Sequence, residues 1–436
     1  LHPVAHSFPT RRSSDLVPGW VGDIQFSYMQ MVFGYFFGYL VIVKLLLPLY
    51  YRLNLVSIYT YLEKRFGFST YKTGAAFFLL SRIIGAAFRL FLVANVLQIA
   101  VFDEFNVPFE ITVGITIILI WLYTVKGGIK TIIWTDTLQT FFMLTAVGVS
   151  IYSISQQLNL DFSGLVSTIS ESEYSRIFYF SDFSGEQHFI KQFLSGVFIT
   201  IVMTGLDQDM MQKNLSCRNL KDSQKNVLWF SIILIFVNIL FLSLGAMLFI
   251  FANNSGIALP ERSDDLFPLI ATQGYLGPVV AVTFTIGLIA AAYSSADSAL
   301  TALTTSFTVD ILDGNKYEEK KLRKIRKRVH VFISVLLAVV ILIFKSINDE
   351  SVISAIFTVA GYTYGPLLGL YAFGLFTKIK IKDKFVPYIA FLSPVLTFVI
   401  NNFSVDLLFG YKFGFELLIV NGLITFGGLI LIRKRG

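Results

Sequence analysis

The sequence predicts an all-α polytopic membrane protein with about eleven transmembrane helices, and three observations carry the prediction. Hydrophobic residues make up 55% of the 436-residue chain and charged residues 14%, with a mean hydropathy of +0.69; a soluble domain carries roughly 25% charge. Apolar runs close to the ~20 residues that a bilayer core requires recur throughout. None of them alternates with period 2, so the spans are helices and not barrel strands.

In chain order the predicted spans are 27–50, 74–98, 109–125, 131–156, 189–212, 227–252, 277–309, 330–345, 352–376, 385–403 and 413–432. The first is rich in aromatics and ends before a basic loop with Arg52, Lys64, Arg65 and Lys72. The second carries Arg82 and Arg89 within otherwise apolar sequence. The third closes on Lys126 and the Gly127-Gly128 turn, and the fourth opens just past Lys130. The fifth and sixth flank a loop with Lys213, Arg218, Lys221 and Lys225, and the seventh combines small residues with hydroxyls. Eight basic residues between Lys316 and Arg328 precede the eighth, and lysines at 378, 380, 382 and 384 separate the ninth from the tenth. The long non-membrane stretches are 157–188 and 253–276.

Lys and Arg set the orientation. Alternate loops hold 25 of them on one side and 5 on the other, the latter being Arg176, Lys191, Arg262, Lys345 and Lys412. The lysine-rich side is therefore read as cytoplasmic, with the C-terminus on it, in a multi-pass protein of the plasma (inner) membrane. The net charge of +7 is accounted for by these loops and the lipid bilayer they face, without any nucleic acid. This orientation starts the first span outside the cell, so an inward-starting helix is expected to be missing. Residues 1–16 (LHPVAHSFPTRRSSDL) are polar and basic, with neither the apolar core nor the cleavage pattern of a signal peptide. They are read as a non-native or disordered segment, which leaves 17–436 as one membrane domain.

Several chemistries are excluded. The single Cys217 rules out an internal disulfide and a cysteine metal cluster. Four histidines stand outside any HExxH or CxxC pattern, His188 and His330 fall at opposite membrane faces, and no P-loop is present. No enzyme and no ATP-driven pump is expected.

Two polar constellations lie at membrane depth, where a charge costs roughly 2.5–3.5 kcal/mol on insertion scales. In AAAYSSADSA at 290–299, helical spacing puts Ala291, Ser294 and Ser298 on one face, flanked by Ser295 and Asp297. These are oxygen ligands of the kind hard cations take. In GGIKTIIWTDTLQ at 127–139, Asp136 enters the membrane one and a half turns above Lys130 and shares a sector with Gln139 and Thr140. Asp136 also has a plain reading as a cap near a helix N-terminus. Arg82 and Arg89, in LLSRIIGAAFRL, lie seven residues apart on one face; an internal ion pair or a snorkelling stem is the alternative to a ligand role.

These motifs together resemble the sodium:solute symporter family. They are WTDTLQ after a Gly-Gly turn, AxxSSADS from Ala291, and GLDQDMMQKNL at 205–215 before a basic loop. The resemblance covers 17–436 and implies the leucine-transporter fold, with two inverted repeats and the solute and sodium near the midplane. It implies that Ala291, Ser294 and Ser295 supply half of one sodium site, the other half belonging to a first core helix of which only VPGW at 17–20 is present. Asp136 with Ser294 and Ser298 resembles a second sodium site, and Na+ is the one ion implied.

For the solute, Phe26 and Gln30 resemble positions that contact substrate in sialic-acid-type members, and Arg82 resembles the arginine that clasps its carboxylate. Arg89 and Thr200 are assigned to the same site, and the tract with Thr200, Gly205 and Asp207 to a break in the helix. Met203 stands where sugar-transporting relatives place a tyrosine, and their glutamine near Val352 is not found. The expected function is sodium-coupled import of a small anionic solute, an acidic sugar or other carboxylate, by alternating access. A neutral sugar or amino acid is the nearer alternative, and a non-transporting sensor of the same fold the more distant one.

Overall fold

The computed structural model describes residues 17–53, 57–124, 129–347 and 352–434, with side chains described except at 100, 122–136, 209, 212, 288–289, 291–298, 315, 347, 352–353 and 407. The expectation for residues 1–16 lies outside them. The described residues are helical apart from loops and one isolated bridge between Ile381 and Arg433, as a chain without water to satisfy its backbone requires.

Helix α1 (Val17–Ile24) turns at Gln25, whose φ of +55° lies in the left-handed region, and continues through a 3₁₀ turn into α2 (Tyr28–Val41). A π-turn at Ile42–Leu46 leads into α3 (Leu47–Leu53). It sits directly before Pro48, whose missing N–H already interrupts the i→i−4 ladder. There follow α4 (Thr60–Arg65), α5 (Phe68–Leu97), α6 (Phe109–Thr124), α7 (Ile129–Gln157), α8 (Phe162–Glu171) and α9 (Phe189–Thr200). Helix α9 widens into a π-turn at Ile201–Gly205, breaks at Leu206 and Asp207, and resumes as α10 (Gln208–Leu215). The chain ends with α11 (Leu220–Ser255), α12 (Leu266–Thr272), α13 (Pro278–Ser306), α14 (Glu319–Ile347), α15 (Val352–Phe376), α16 (Val386–Asn402) and α17 (Leu417–Leu431).

Every predicted span has a helix in its place, with three differences. The span predicted over 189–212 is broken, because Gly205 and the buried Asp207 end one helix and start another. Helices α11 and α14 begin seven and eleven residues before the predicted spans, since their basic first turns lie beyond the apolar window that defined those spans. The stretches 157–188 and 253–276 contain the short helices α8 and α12. Among the described residues, six helical segments are long and apolar enough to cross a membrane by themselves, and five shorter apolar ones accompany them.

Small residues let the helices approach closely, as is usual where lipid offers no hydrophobic drive. A Cβ on Gly34 or Gly196 would collide with backbone of α9 or α2, so these glycines fix that crossing. Gly287 of α13 rests on Phe142 and Met143 of α7. Gly365 and Gly369 of α15 receive Asn421 and Thr425 of α17. Asn421 donates to the carbonyls of Gly361 and Tyr362 at 3.0 and 2.8 Å, and Ser393 of α16 donates to the Asn421 carbonyl at 2.8 Å.

Loops of the two predicted sides gather at opposite ends. At the lysine-rich end, Asp383 accepts from the backbone N–H groups of Ser69 and Thr70 at 2.8 and 2.9 Å and caps α5. Arg65 donates to the carbonyls of Gly374, Thr377 and Ile379 around the end of α15, and Lys72 reaches Asp310 O at 2.6 Å and Asp313 at 2.6 Å past the end of α13. At the other end, Gln157 donates to Tyr275 O, Lys191 to Ser184 O and Lys412 O, and Asn95 to Asp265.

Candidate functional site

Halfway along α5 the helix turns a charged face inward. Arg82 lies fourteen residues from the start of α5, about 21 Å by helical rise, and is 4% exposed; Arg89, seven residues on, is also buried. Together with Ser81, Ile84, Gly85 and Phe88 they line a narrow cleft of about 10 Å³, room for about one water molecule. Met203 of the π-turn closes it on one side, and Ile356, Val359, Ala360 and Tyr364 of α15 on the other.

The charge of Arg82 is met by Asp207, which is fully buried at the break between α9 and α10. Arg82 Nη1 donates to Asp207 Oδ2 at 3.4 Å, and the Tyr364 hydroxyl donates to the same oxygen at 3.4 Å. The other oxygen, Oδ1, accepts from Met210 N at 3.1 Å and so caps α10. These bonds are long for a charge-assisted pair, which closes at about 2.7–2.9 Å.

Tyrosines seal the cleft from the lysine-rich end. Tyr59 donates to Leu206 O at 2.9 Å, Tyr50 to Gly205 O at 2.9 Å and Tyr371 to Ile58 O at 2.8 Å. All three rings are fully buried, and Tyr59 packs on Phe78 while Tyr371 stacks on Tyr61. Toward the other end, Trp20 packs among Tyr28, Phe357 and Phe415. The unwound backbone of the break is thus hydrogen-bonded by phenols, which meets the need to satisfy buried carbonyls.

The structure brings Arg82 and Arg89 into one cleft and places the other predicted solute residues elsewhere. Gln30 is fully buried, but its amide donates to Gln187 O at 2.9 Å and accepts from Tyr179 N at 3.1 Å, tying down the loop before α9. Phe26 is buried in the 3₁₀ turn before α2. Thr200 packs against Gly38 of α2, and Met203 is the residue of that helix that lines the cleft. Asp207 and Tyr364 are the site residues that sequence reasoning did not assign to it. The signal available was that an arginine at mid-membrane needs an acid, and GLDQD supplies one next to a helix break.

For the ion-site residues Asp136, Ala291, Ser294, Ser295 and Ser298, the side chains lie outside the described residues. The helices that carry them are described. They pack directly, with Gly287 of α13 on Met143 of α7. The two run antiparallel, so helical rise puts Ser294 and Asp136 each seven residues, about 10 Å, from that contact toward the lysine-rich end and at equal depth.

A model of the sodium:solute symporter family matches residues 17–382. The chain belongs to the sodium:solute symporter family. It is 28% identical over 346 residues to the sodium/sialic acid symporter NanT of Aliivibrio fischeri, covering 76% of this chain and 66% of that protein. It is 25% identical over 345 residues to the sodium/sialic acid symporter SiaT of Proteus mirabilis, covering 76% and 67%, and 23% identical over 367 residues to the human sodium/iodide cotransporter, covering 80% and 54%. The chain thus spans about two thirds of the length of the sialic acid symporters it matches.

Among solved structures, a Na+-coupled sialic acid symporter in a substrate-bound outward-open state is similar with a TM-score of 0.80 at 16% identity, covering 100% of this chain and 90% of that one. Mhp1, a nucleobase-cation-symport-1 transporter in a closed conformation, is similar with a TM-score of 0.56 at 12% identity, covering 99% and 91%. At these identities the likeness is one of fold, and the fold is the leucine-transporter type that the sequence predicts.

Proposed function

We propose that this family member is a sodium-coupled symporter that imports a small anionic organic solute, an acidic sugar of the sialic acid kind or another carboxylate. The observation that carries the reading is that two buried arginines, Arg82 and Arg89, line one cleft, with the buried Asp207 against Arg82. A guanidinium at mid-membrane is costly unless an anion meets it, and its planar fork fits a carboxylate in two bonds. The names of relatives support the same chemistry, since sialic acid and iodide are both anions.

In this reading sodium binds at Ala291, Ser294 and Ser295 of α13, and a second ion at Asp136 with Ser294 and Ser298. The equal depth of Asp136 and Ser294 on packed helices supports the pairing. Phe26, Gln30 and Thr200 act from outside the cleft lining, by holding α2, the outer loop and α9 in place around it. Sodium favours the outward-open arrangement, the solute is captured, and the helix sets rock to open the site on the other side. The gradient does work because the ion binds the two arrangements unequally. The lysine-rich end, where Asp383, Arg65 and Lys72 cross-cap three helices, is cytoplasmic and carries the C-terminus, in the plasma membrane.

A binding panel on the purified protein tests this: acidic sugars, simple carboxylates, amino acids and neutral sugars, each with sodium or potassium. Sodium-dependent binding of an acid, reduced at least tenfold by Arg82→Lys, is expected. Tight binding of glucose or galactose that ignores both Arg82 and Arg89 would show the solute class to be wrong.

A further inference from the structure

We infer that Asp207 is the cleft's own competitor for Arg82: an internal carboxylate that occupies the guanidinium until a solute carboxylate displaces it, and so sets how strongly the protein prefers acids. The inference rests on the reading of Arg82 as the residue that takes the solute's carboxylate.

Three observations converge on it. Asp207 is buried, and Arg82 engages it at 3.4 Å through Nη1. That is a loose contact for a guanidinium whose fork closes on a carboxylate at about 2.7–2.9 Å, so a better-placed anion in the cleft would win the arginine. Asp207 is also secured without Arg82: its Oδ1 accepts from Met210 N and its Oδ2 from the Tyr364 hydroxyl. When Arg82 turns to a solute, the carboxylate keeps two donors. Finally, Asp207 sits at the break between α9 and α10, whose carbonyls at Gly205 and Leu206 are held by Tyr50 and Tyr59 of the inner seal. Release of Arg82 therefore acts on the segment that closes the cleft toward the lysine-rich end.

A residue that only braces the fold and one that competes for Arg82 predict different specificities. Competition lowers affinity for an anion and leaves a neutral isostere nearly untouched. The quantity to measure is the ratio of affinities for N-acetylneuraminic acid and for its methyl ester, in saturating sodium, on the purified protein. This ratio is independent of the fraction of protein that is folded. Asp207→Asn and Asp207→Ser are both neutral and both able to cap α10, so a folding failure of one leaves the other.

The ratio is expected to rise at least tenfold in either variant, to return to within about threefold of the wild-type value in Asp207→Glu, and to collapse in Arg82→Lys. An unchanged or smaller ratio in the neutral variants, with a wild type that prefers the acid, overturns the inference and leaves the proposed function standing. A wild type that binds acid and ester equally removes the proposed function and this inference with it, and one that binds neither removes the inference for acidic sugars.

Discussion

Asp383 caps the helix that carries Arg82 from 313 positions away, accepting from the Thr70 N–H at 2.9 Å and the Thr70 hydroxyl at 2.6 Å. Gly67, with a φ of +141°, leaves no room for a Cβ against that carboxylate. In return Arg65, just before α5, donates to carbonyls around the end of α15. The two walls of the cleft, α5 and α15, are thus joined at the lysine-rich end by reciprocal capping.

Breaking that join is expected to loosen the lysine-rich end. Asp383→Ala removes a cap worth about 1 kcal/mol and lowers thermal stability by that order. Arg65→Ala leaves the α15 carbonyls to water and does the same. Both variants should also shift the protein toward an inward-open arrangement, read as weaker sodium-dependent solute binding. Stability loss without any change in binding would reduce the clamp to a structural tie.

Cys217, after α10, offers a chemical probe of the lysine-rich end. Burial pushes its thiol above its ordinary value of 9.0, with Asp222 adding to the effect. The thiolate is the nucleophile, so under about 1% of it is reactive at pH 7. Slow maleimide labelling from the cytoplasmic side is expected, slower still in sodium and faster in Asp383→Ala. Labelling by an impermeant reagent applied outside would invert the topology.

The Lys72 contact with Asp313 sets an acid limb to stability. Hydrogen bonds from Lys72, then Lys316, hold the Asp313 carboxyl below its ordinary value of 3.8. A depressed value means that the contribution is present above the ordinary value and lost as pH falls through the lower one. The melting difference between wild type and Asp313→Asn should therefore be constant from about pH 5 to pH 8 and shrink only in acid below 3.8. A difference that faded near neutrality would point to a different group.

The spans were readable from sequence because a bilayer permits few alternatives to an apolar helix, and the tract through Thr200, Gly205 and Asp207 marked the break correctly. The Arg82–Asp207 pair was not readable in the same way. The two residues are 125 positions apart, and an aspartate before MMQKNL looks locally like an ordinary helix cap, which it also is. Thr200 was assigned to the cleft, whereas the residue of that stretch that lines it is Met203, in the π-turn at Ile201–Gly205. Gln30 pointed to a polar role, but which polar partner it meets depends on a loop that returns from residues 179–187.

Replacing Arg82 by Lys keeps the charge and removes the fork. Acid binding should fall at least tenfold while abundance in the membrane stays near wild type, because Lys still neutralises Asp207. The checks are the binding constant and the quantity of extracted protein. Normal affinity with low abundance would make Arg82 a structural partner of Asp207 alone.

The central claim is that a sodium gradient drives an anionic solute through this cleft. It is tested most directly by uptake of radiolabelled N-acetylneuraminic acid into proteoliposomes under an inward gradient of sodium, potassium or protons. The account predicts accumulation above equilibrium in sodium alone, abolished by a sodium ionophore and strongly reduced in Asp136→Ala and Ser295→Ala. Uptake equal in all three gradients, or driven by protons and indifferent to sodium, would contradict it.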